Sequence, residues 1–341
     1  MMQICIMKKN FAIVGCGRIA TRHALQIKQL ANLTAVCDID PIKATAFASE
    51  FNATAYFSLE EMLNQSPEIE VISICTPNCL HAEHTIMSLS SGKHVLCEKP
   101  LSIDIQDAKK MIDTAHSFNR KLFVVKQNRY NPPVEAVKSM LNDNRLGLIT
   151  SFQINCFWNR PSAYYTDTWK GNKKWDGGTL FTQFSHFIDL LYWFLGDVAA
   201  VDAYIQNYLH PEIEIEDTGV VLFKMKSGVI GTLNYNVNAF QKNMEGSFTL
   251  FGEKGTVKIG GQYLNTIEYQ SLEGQQIHLN DLGNPSNDYG FYQGSMSNHD
   301  KVYSNLIAAI DDHESKFASA FEGMKSVEII EMIYAAAVSN S

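Results

Sequence analysis

Five short apolar runs, set between stretches of helical periodicity, constrain this chain more than any other feature. They are "FAIVG" (11–15), "TAVCD" (34–38), "VISIC" (71–75), "HVLCE" (94–98) and "LFVV" (122–125). Most are apolar on both sides, as parallel strands covered by helices must be. Helical patterns over 18–30, 41–51, 58–65, 79–91 and 104–118 separate them. Strand and helix in strict alternation imply a doubly wound parallel sheet.

After Tyr130 the texture changes. A helix is expected over 133–143, a long strand over 149–159, a Trp-, Tyr- and Lys-rich loop over 160–177 and an apolar helix over 178–195. From 198 to 280 strands alternate with turn signals at 227–229, 252–255 and 272–275, which reads as an antiparallel sheet with one packed face. A Gly/Asn/Ser loop (283–298) leads to two last helices, 299–313 and 322–337. The fold class is therefore α/β: an N-terminal doubly wound parallel sheet, then a C-terminal part with helices and a mostly antiparallel sheet. A length of 341 residues suits two such domains, here 1–126 and 127–341.

The phosphate-binding signature sits at the first strand–helix junction. "AIVGCGRIATRH" (12–23) carries Gly15-x-Gly17-x-x-Ala20, with Arg18 and Ile19 opening the helix. Gly15 permits the tight turn, Gly17 lets backbone approach a pyrophosphate, and Ala20 allows close helix–strand packing. The second strand ends in Asp38, placed to bond ribose hydroxyls and to repel a 2′-phosphate. That favours NAD over NADP, although Arg22 stands close enough in sequence to keep NADP open. "CTPN" (75–78) and "CEKP" (97–100) end two further strands, placing Thr76, Pro77, Asn78, Glu98 and Lys99 on the carboxyl edge where such sheets bind ligands. Pro100 holds Lys99 extended, and the Lys99–Pro100 bond stands open to either cis or trans.

The net charge of −8, from 28 basic and 36 acidic residues, argues against broad nucleic-acid binding. It leaves room for a local basic pocket. No run approaches the ~18–20 apolar residues of a membrane helix. The start "MMQICIMKKN" places its apolar patch before Lys8 and Lys9, the reverse of a secretory signal, and Met7 is a second candidate start. Seven scattered cysteines (Cys5, Cys16, Cys37, Cys75, Cys79, Cys97 and Cys156) read as reduced thiols of a cytoplasmic protein. His81 and His84 have metal-pair spacing, but with no third ligand in view they read as ordinary histidines of a helix beside the cofactor, and no metal is expected.

"GCGRIATRH", "CTPNCLHAEHTIMSLSSGKHVLCEKPLS", "QNRYNP" and "GGTLFTQFSHFIDLLYWFLG" together resemble the glucose–fructose oxidoreductase / inositol dehydrogenase family (Gfo/Idh/MocA). The resemblance implies hydride transfer between a nicotinamide and a sugar or cyclitol carbon. It also implies an N-terminal Rossmann domain and a C-terminal α/β domain with a large, mostly antiparallel open sheet, on which a homo-oligomer, dimer or tetramer, is built. Its catalytic lysine and histidine fall on Lys99 and His186. A neutral imidazole suits the removal of a hydroxyl proton near neutrality, and an ammonium suits stabilising the developing alkoxide. The plain structural alternative for His186 is a satisfied histidine on an apolar helix. Many members carry an aspartate one turn before this histidine; here that position is Thr182, which cannot act as a carboxylate.

"FWNRPSAYY" (157–165), "DTWKG" (167–171) and "GGTLFTQFSHFIDLL" (177–191) resemble the branch that oxidises C3 of UDP-N-acetylglucosaminuronate with NAD in O-antigen sugar synthesis. That resemblance adds His81, Gln127, Trp169 and Lys170 to the cofactor residues. It adds Arg160, Tyr165, Thr182 and Gln183, beside Lys99 and His186, to the substrate residues. Arg160 suits bidentate recognition of a carboxylate or phosphate. Lys170 stands where the branch has Arg, and Lys173 and Lys174 are either substrate-facing or simply solvated. A dehydrogenase of a free sugar, cyclitol or glycoside, and a non-catalytic NAD-bound sensor, are the alternatives.

Overall fold

The computed structural model describes residues 8–290 and 292–339. Cys5 and the apolar start lie outside them. The chain divides into one unit of residues up to Val125 plus His299–Met324, and a second of Lys126–Asn298 with Lys325 onward.

The first unit runs β1 (Asn10–Val14), α1 (Arg18–Leu30), β2 (Asn32–Cys37), α2 (Pro41–Phe51), β3 (Thr54–Tyr56), α3 (Leu59–Gln65), β4 (Val71–Ile74), α4 (His81–Ser90), β5 (His94–Cys97), α5 (Ile105–Ser117) and β6 (Leu122–Val124). The strands form one parallel sheet in the order β3-β2-β1-β4-β5-β6. Every residue of β4 and β6 is buried, which is why these runs lack polar alternation. Asp40, Ser58 and Asp104 cap α2, α3 and α5 through their side chains. The strand β3 is not among the five apolar runs. Three residues are too few to show a period, and pairing with β2 (Ala35 with Thr54, Cys37 with Tyr56) supplies its order instead.

The second unit holds α6 (Pro132–Asn142), β7 (Ile149–Phe157), the single turn α7 (Lys173–Asp176), α8 (Ser185–Leu195), β8 (Val198–Gln206), β9 (Thr218–Met225), β10 (Ile230–Asn236), β11 (Glu245–Gly252), β12 (Gly255–Gly260), β13 (Thr266–Leu272) and a two-stranded ribbon of β14 (Ser286–Asp288) and β15 (Gln293–Met296). Its large sheet has the order β13-β12-β11-β7-β10-β9-β8. All neighbours are antiparallel except β7 and β10. Along β9, buried and exposed residues alternate; Val221 and Phe223 face the core, Val220 and Leu222 the outside. The expected helix over 178–195 opens instead with a π-helical turn, Leu180–Phe184.

Of the last helices, α9 (His299–Ile310) and the start of α10 (Ala320–Ser339) belong to the first unit, where a single cut at 126 would exclude them. The reason is local: Tyr303 of α9 places its hydroxyl 2.8 Å from His23 Nδ1 and 2.7 Å from Ser73 Oγ, and Phe317 stacks edge-on against Phe123. Such long-range returns leave no periodic mark in the sequence. No helix among the described residues is long and apolar enough to cross a membrane.

Glu216 sits buried in the second unit, accepting from Tyr334 (2.7 Å) and Tyr235 (3.2 Å). Burial outweighs these bonds and pushes its carboxyl up to about 7. The folded state therefore holds this proton more tightly than the unfolded chain. Stability from Glu216 is full below the unfolded value of 4.5 and declines as pH rises to about 7. At ~1.4 kcal/mol per unit, the loss is on the order of 3 kcal/mol. Glu216→Gln should flatten this slope in urea unfolding measured across that range; an unchanged slope would exclude Glu216 as its source.

Candidate active site

In the first unit the expected cofactor residues share the carboxyl edge of the sheet. Gly15 has φ +93°, and a Cβ there would lie 2.8 Å from the Cys75 carbonyl carbon and oxygen, so only glycine fits. Gly17 is extended, with nothing within 4 Å of where its Cβ would stand. It opens the 13-residue α1 with no side-chain cap, leaving the first-turn N–H groups, including those of the exposed Arg18 and half-buried Ile19, facing that space. The loop thus fits a pyrophosphate. Asp38 accepts Cys16 N–H at 2.8 Å through Oδ2 and Asp40 N–H at 2.9 Å through Oδ1, which fixes its carboxylate against the loop. Asp38→Ser should raise kcat/KM with NADP relative to NAD by about a hundredfold or more, since a like-charge contact costs several kcal/mol. Paired kinetics with both cofactors would read the ratio, and no change would remove Asp38 from the ribose site.

Thr76, Pro77 and Asn78 follow β4, and Glu98 and Lys99 follow β5. His81, fully buried, joins the two ends: its Nδ1 lies 2.6 Å from Pro100 O and its Nε2 2.9 Å from Thr76 O. His84 instead meets Thr76 Oγ1 at 3.1 Å, so the two imidazoles serve different bonds. The Lys99–Pro100 peptide is cis, and Lys99 is half-buried.

A group that sequence reasoning missed stands directly behind this turn. Glu98 Oε1 lies 2.8 Å from His23 Nε2 and 3.4 Å from His299 Nε2, and Oε2 accepts Lys99 N–H at 3.0 Å. All three side chains are buried and close enough together to suit a metal ion. Hydrogen bonds account for them: Ser73 and Tyr303 hydroxyls lead to His23 Nδ1, and His23 Nε2–H donates to Glu98. Burial keeps His23 neutral. Burial alone would raise Glu98, but the bonds from His23 and His299 outweigh it and hold the carboxyl well below its usual range. Of the three only Glu98 stands out in the sequence; His23 lies five residues inside α1 and His299 opens α9.

In the second unit His186 opens α8, 3% exposed. Gln127 places its amide nitrogen 3.2 Å from His186 Nε2, and its amide oxygen is buried with no hydrogen-bond partner among the described residues. One turn on, Asp189 receives Arg129 Nε and Nη2 at 2.8 Å each and lies 3.3 Å from Lys126 Nζ, all of it buried. Burial raises the Asp189 carboxyl, but the two cations more than reverse this and hold it low; His186 is near enough to act on it too.

Arg160 is 2% exposed. Its Nε donates to Gln183 Oε1 at 2.8 Å, and Nη1 donates to Asn159 O at 2.6 Å and to Asn243 Oδ1 at 3.2 Å. Trp158, Tyr164 and Tyr292 surround the guanidinium at 5.0, 5.4 and 4.9 Å. No carboxylate pairs it among the described residues. Gln183 also donates to Tyr164 Oη at 2.6 Å, so both ends of its amide hold protein groups. The Tyr165 hydroxyl is buried without a partner among the described residues. Lys170 rests over the rings of Tyr164 (4.8 Å) and Trp169 (5.3 Å). Lys173 and Lys174, on α7, are exposed.

Thr182 does not stand alone: its hydroxyl donates to Asp176, a carboxylate that sequence reasoning passed over. Asp176 ends α7 just before Gly177 and Gly178, and a Cβ at Gly178 would collide with Tyr334 Oη at 2.0 Å.

Known proteins similar to this chain are oxidoreductases. Residues 9–126 match the model described as "Oxidoreductase family, NAD-binding Rossmann fold" (GFO_IDH_MocA), and residues 134–258 match the GFO/IDH/MocA C-terminal domain. The crystal structure of the WlbA dehydrogenase from Chromobacterium violaceum, in complex with NADH and UDP-GlcNAcA, is 35% identical, covers 99% of this chain and 96% of that one, and superposes with TM-score 0.90. WlbA from Bordetella pertussis, with the same ligands, is 33% identical over 98% of each chain at TM-score 0.88. The glucose-6-phosphate 3-dehydrogenase of Bacillus subtilis is 26% identical over 96% of this chain and 95% of its own.

Proposed function

This chain belongs to the GFO/IDH/MocA oxidoreductase family, and from that premise we propose that it oxidises the C3 hydroxyl of UDP-N-acetylglucosaminuronate to a ketone. Its class is that of an NAD-dependent sugar dehydrogenase acting on CH–OH. The observation that carries the finer reading is Arg160: a buried guanidinium, ringed by aromatic faces, with no carboxylate of its own. Such a cation is costly unless an anion joins it, and a sugar carboxylate or diphosphate supplies one. Two relatives at 35% and 33% identity bind that nucleotide sugar acid, which supports the same choice.

In this reading Lys99 holds the reacting hydroxyl oxygen and His186 takes its proton. NAD, when bound, supplies the carbon that receives the hydride. Tyr165 offers its unpartnered hydroxyl to the sugar, and Gln183 keeps Arg160 in place. The apolar outer side of the large sheet, with Tyr204, Leu222 and Ile230 exposed, supports a homo-oligomer formed on that face.

Purified protein with NAD and the UDP-sugar acid should form a 3-keto product, detected by mass spectrometry. A 2-oxo acid is added in a parallel reaction to recycle any retained NADH. Absence of ketone in both reactions removes the substrate proposal. Arg160→Lys should raise KM for the sugar acid by about 10–100-fold, the value of one or two charge-assisted bonds. Under the alternative substrate, a free sugar, cyclitol or glycoside with no anionic group, Arg160→Lys leaves KM near the wild-type value.

A further inference from the structure

The hydroxyl of Thr182 has one proton, and it is committed to Asp176 Oδ1. The lone pairs of that oxygen can then only accept. Asp176 is itself rigidly placed. It is 1% exposed, its Oδ2 accepts Gly171 N–H at 2.9 Å, and Gly178 N–H also bonds to the carboxylate. Asn172 caps α7 and, with Lys173 N–H, is tied to Glu214 at 2.9 Å. With Oδ2 kept as acceptor of Gly171 N–H, a proton gained by Asp176 goes to Oδ1, and the bond reverses: the acid O–H donates to Thr182, and the threonine proton is released for another acceptor. One proton on Asp176 thus converts Thr182 from acceptor to donor, four residues before His186.

We propose that Asp176 is a positioning residue for the dehydrogenase reaction, setting through the Thr182 hydroxyl whether this side of the site accepts or donates a hydrogen bond to the sugar. The accepting state takes a bond from a sugar hydroxyl beside the reacting carbon; the donating state does not, and the sugar loses its register against His186. This rests on the reading that Thr182 and His186 meet the substrate. Burial pushes the Asp176 carboxyl up to about 6, against the bonds from Thr182, Gly171 and Gly178 and the charge of Lys170. The Tyr164 and Tyr165 hydroxyls also face it; Arg160 acts on both tyrosines, and Glu216 and Asp217 act on Tyr165 from behind.

The test compares kcat against pH for wild type, Asp176→Asn, Thr182→Val and Thr182→Ser, with NMR titration of labelled aspartate carboxyls alongside. In wild type full rate needs both Asp176 and the base unprotonated, so log kcat should fall with a slope above one around pH 6. Asp176→Asn and Thr182→Val should each give a slope of one and a kcat about tenfold lower, the worth of one hydrogen bond, with KM for NAD unchanged. Thr182→Ser should restore the wild-type profile. An aspartate carboxyl should titrate near pH 6, vanish in Asp176→Asn and move higher in Thr182→Val. Thr182→Val leaves the Gly171 and Gly178 bonds intact, so it decides the matter if Asp176→Asn fails to fold. A slope above one retained in Thr182→Val overturns the inference. If wild type turns over no sugar at all, the proposed function falls instead; then a carboxyl titration unmoved by Thr182→Val overturns the coupling, and an upward move supports it.

Discussion

Replacing Lys99 by methionine should lower kcat by about 10²–10³, the usual cost of removing one charge-stabilising donor from an oxyanion. Methionine keeps much of the stem, so NADH affinity should change only a few-fold. The expectation rests on how firmly the turn is held. Glu98 is ionised, bonded by His23 and His299, and its second oxygen takes the Lys99 N–H. His81 holds the following carbonyl, that of Pro100. The backbone of Lys99 is thus set by groups that methionine leaves untouched, and a loss of rate reports the ammonium itself. Lys99→Arg should not restore the rate, because a planar guanidinium cannot occupy the place of a compact point charge. Steady-state rates and a fluorescence titration with NADH separate chemistry from binding. A methionine variant within a few-fold of wild-type kcat would remove Lys99 from the catalytic groups.

The sequence exposed most of the first unit because its constraints are local. Parallel strands buried on both sides must be apolar throughout, and Asp40, Ser58 and Asp104 mark helix starts by bonding their own backbone. Gly15 was legible because a left-handed turn pressed against Cys75 admits nothing larger. What stayed hidden depends on residues far apart in the chain. Tyr303 reaches His23 and Ser73 across 280 and 230 positions, and that contact draws α9 into the first unit. Asp176 was hidden for another reason. It lies only six residues before Thr182, yet no helix joins the pair; a glycine-bent loop folds the carboxylate back onto the hydroxyl. Reading Thr182 as a lost carboxylate was correct for its own position and missed the neighbour that supplies one. Gln183, expected at the substrate, bonds Arg160 and Tyr164, a use that only the three-dimensional arrangement reveals.

His186→Asn should lower kcat by about 10²–10⁴ near neutral pH, the range for loss of a general base. The variant separates two uses of a buried imidazole. If His186 merely satisfied the helix, asparagine would leave turnover largely intact and the loss would appear as stability. If it is the base, folding should be nearly unchanged, since the turn is anchored elsewhere: Asp189, one turn on, is bonded by Arg129 and paired with Lys126. The residual rate should rise with pH in the variant, as solvent hydroxide replaces the missing base. KM for the sugar should move little, because Arg160, not His186, holds its charge in the proposed reading. The orphan oxygen of Gln127 adds an internal control. Gln127→Leu removes that polar group and its contact with His186 Nε2 while leaving the imidazole, so its kcat should fall far less than that of His186→Asn. Equal losses in the two variants would assign the effect to packing around the imidazole rather than to proton transfer.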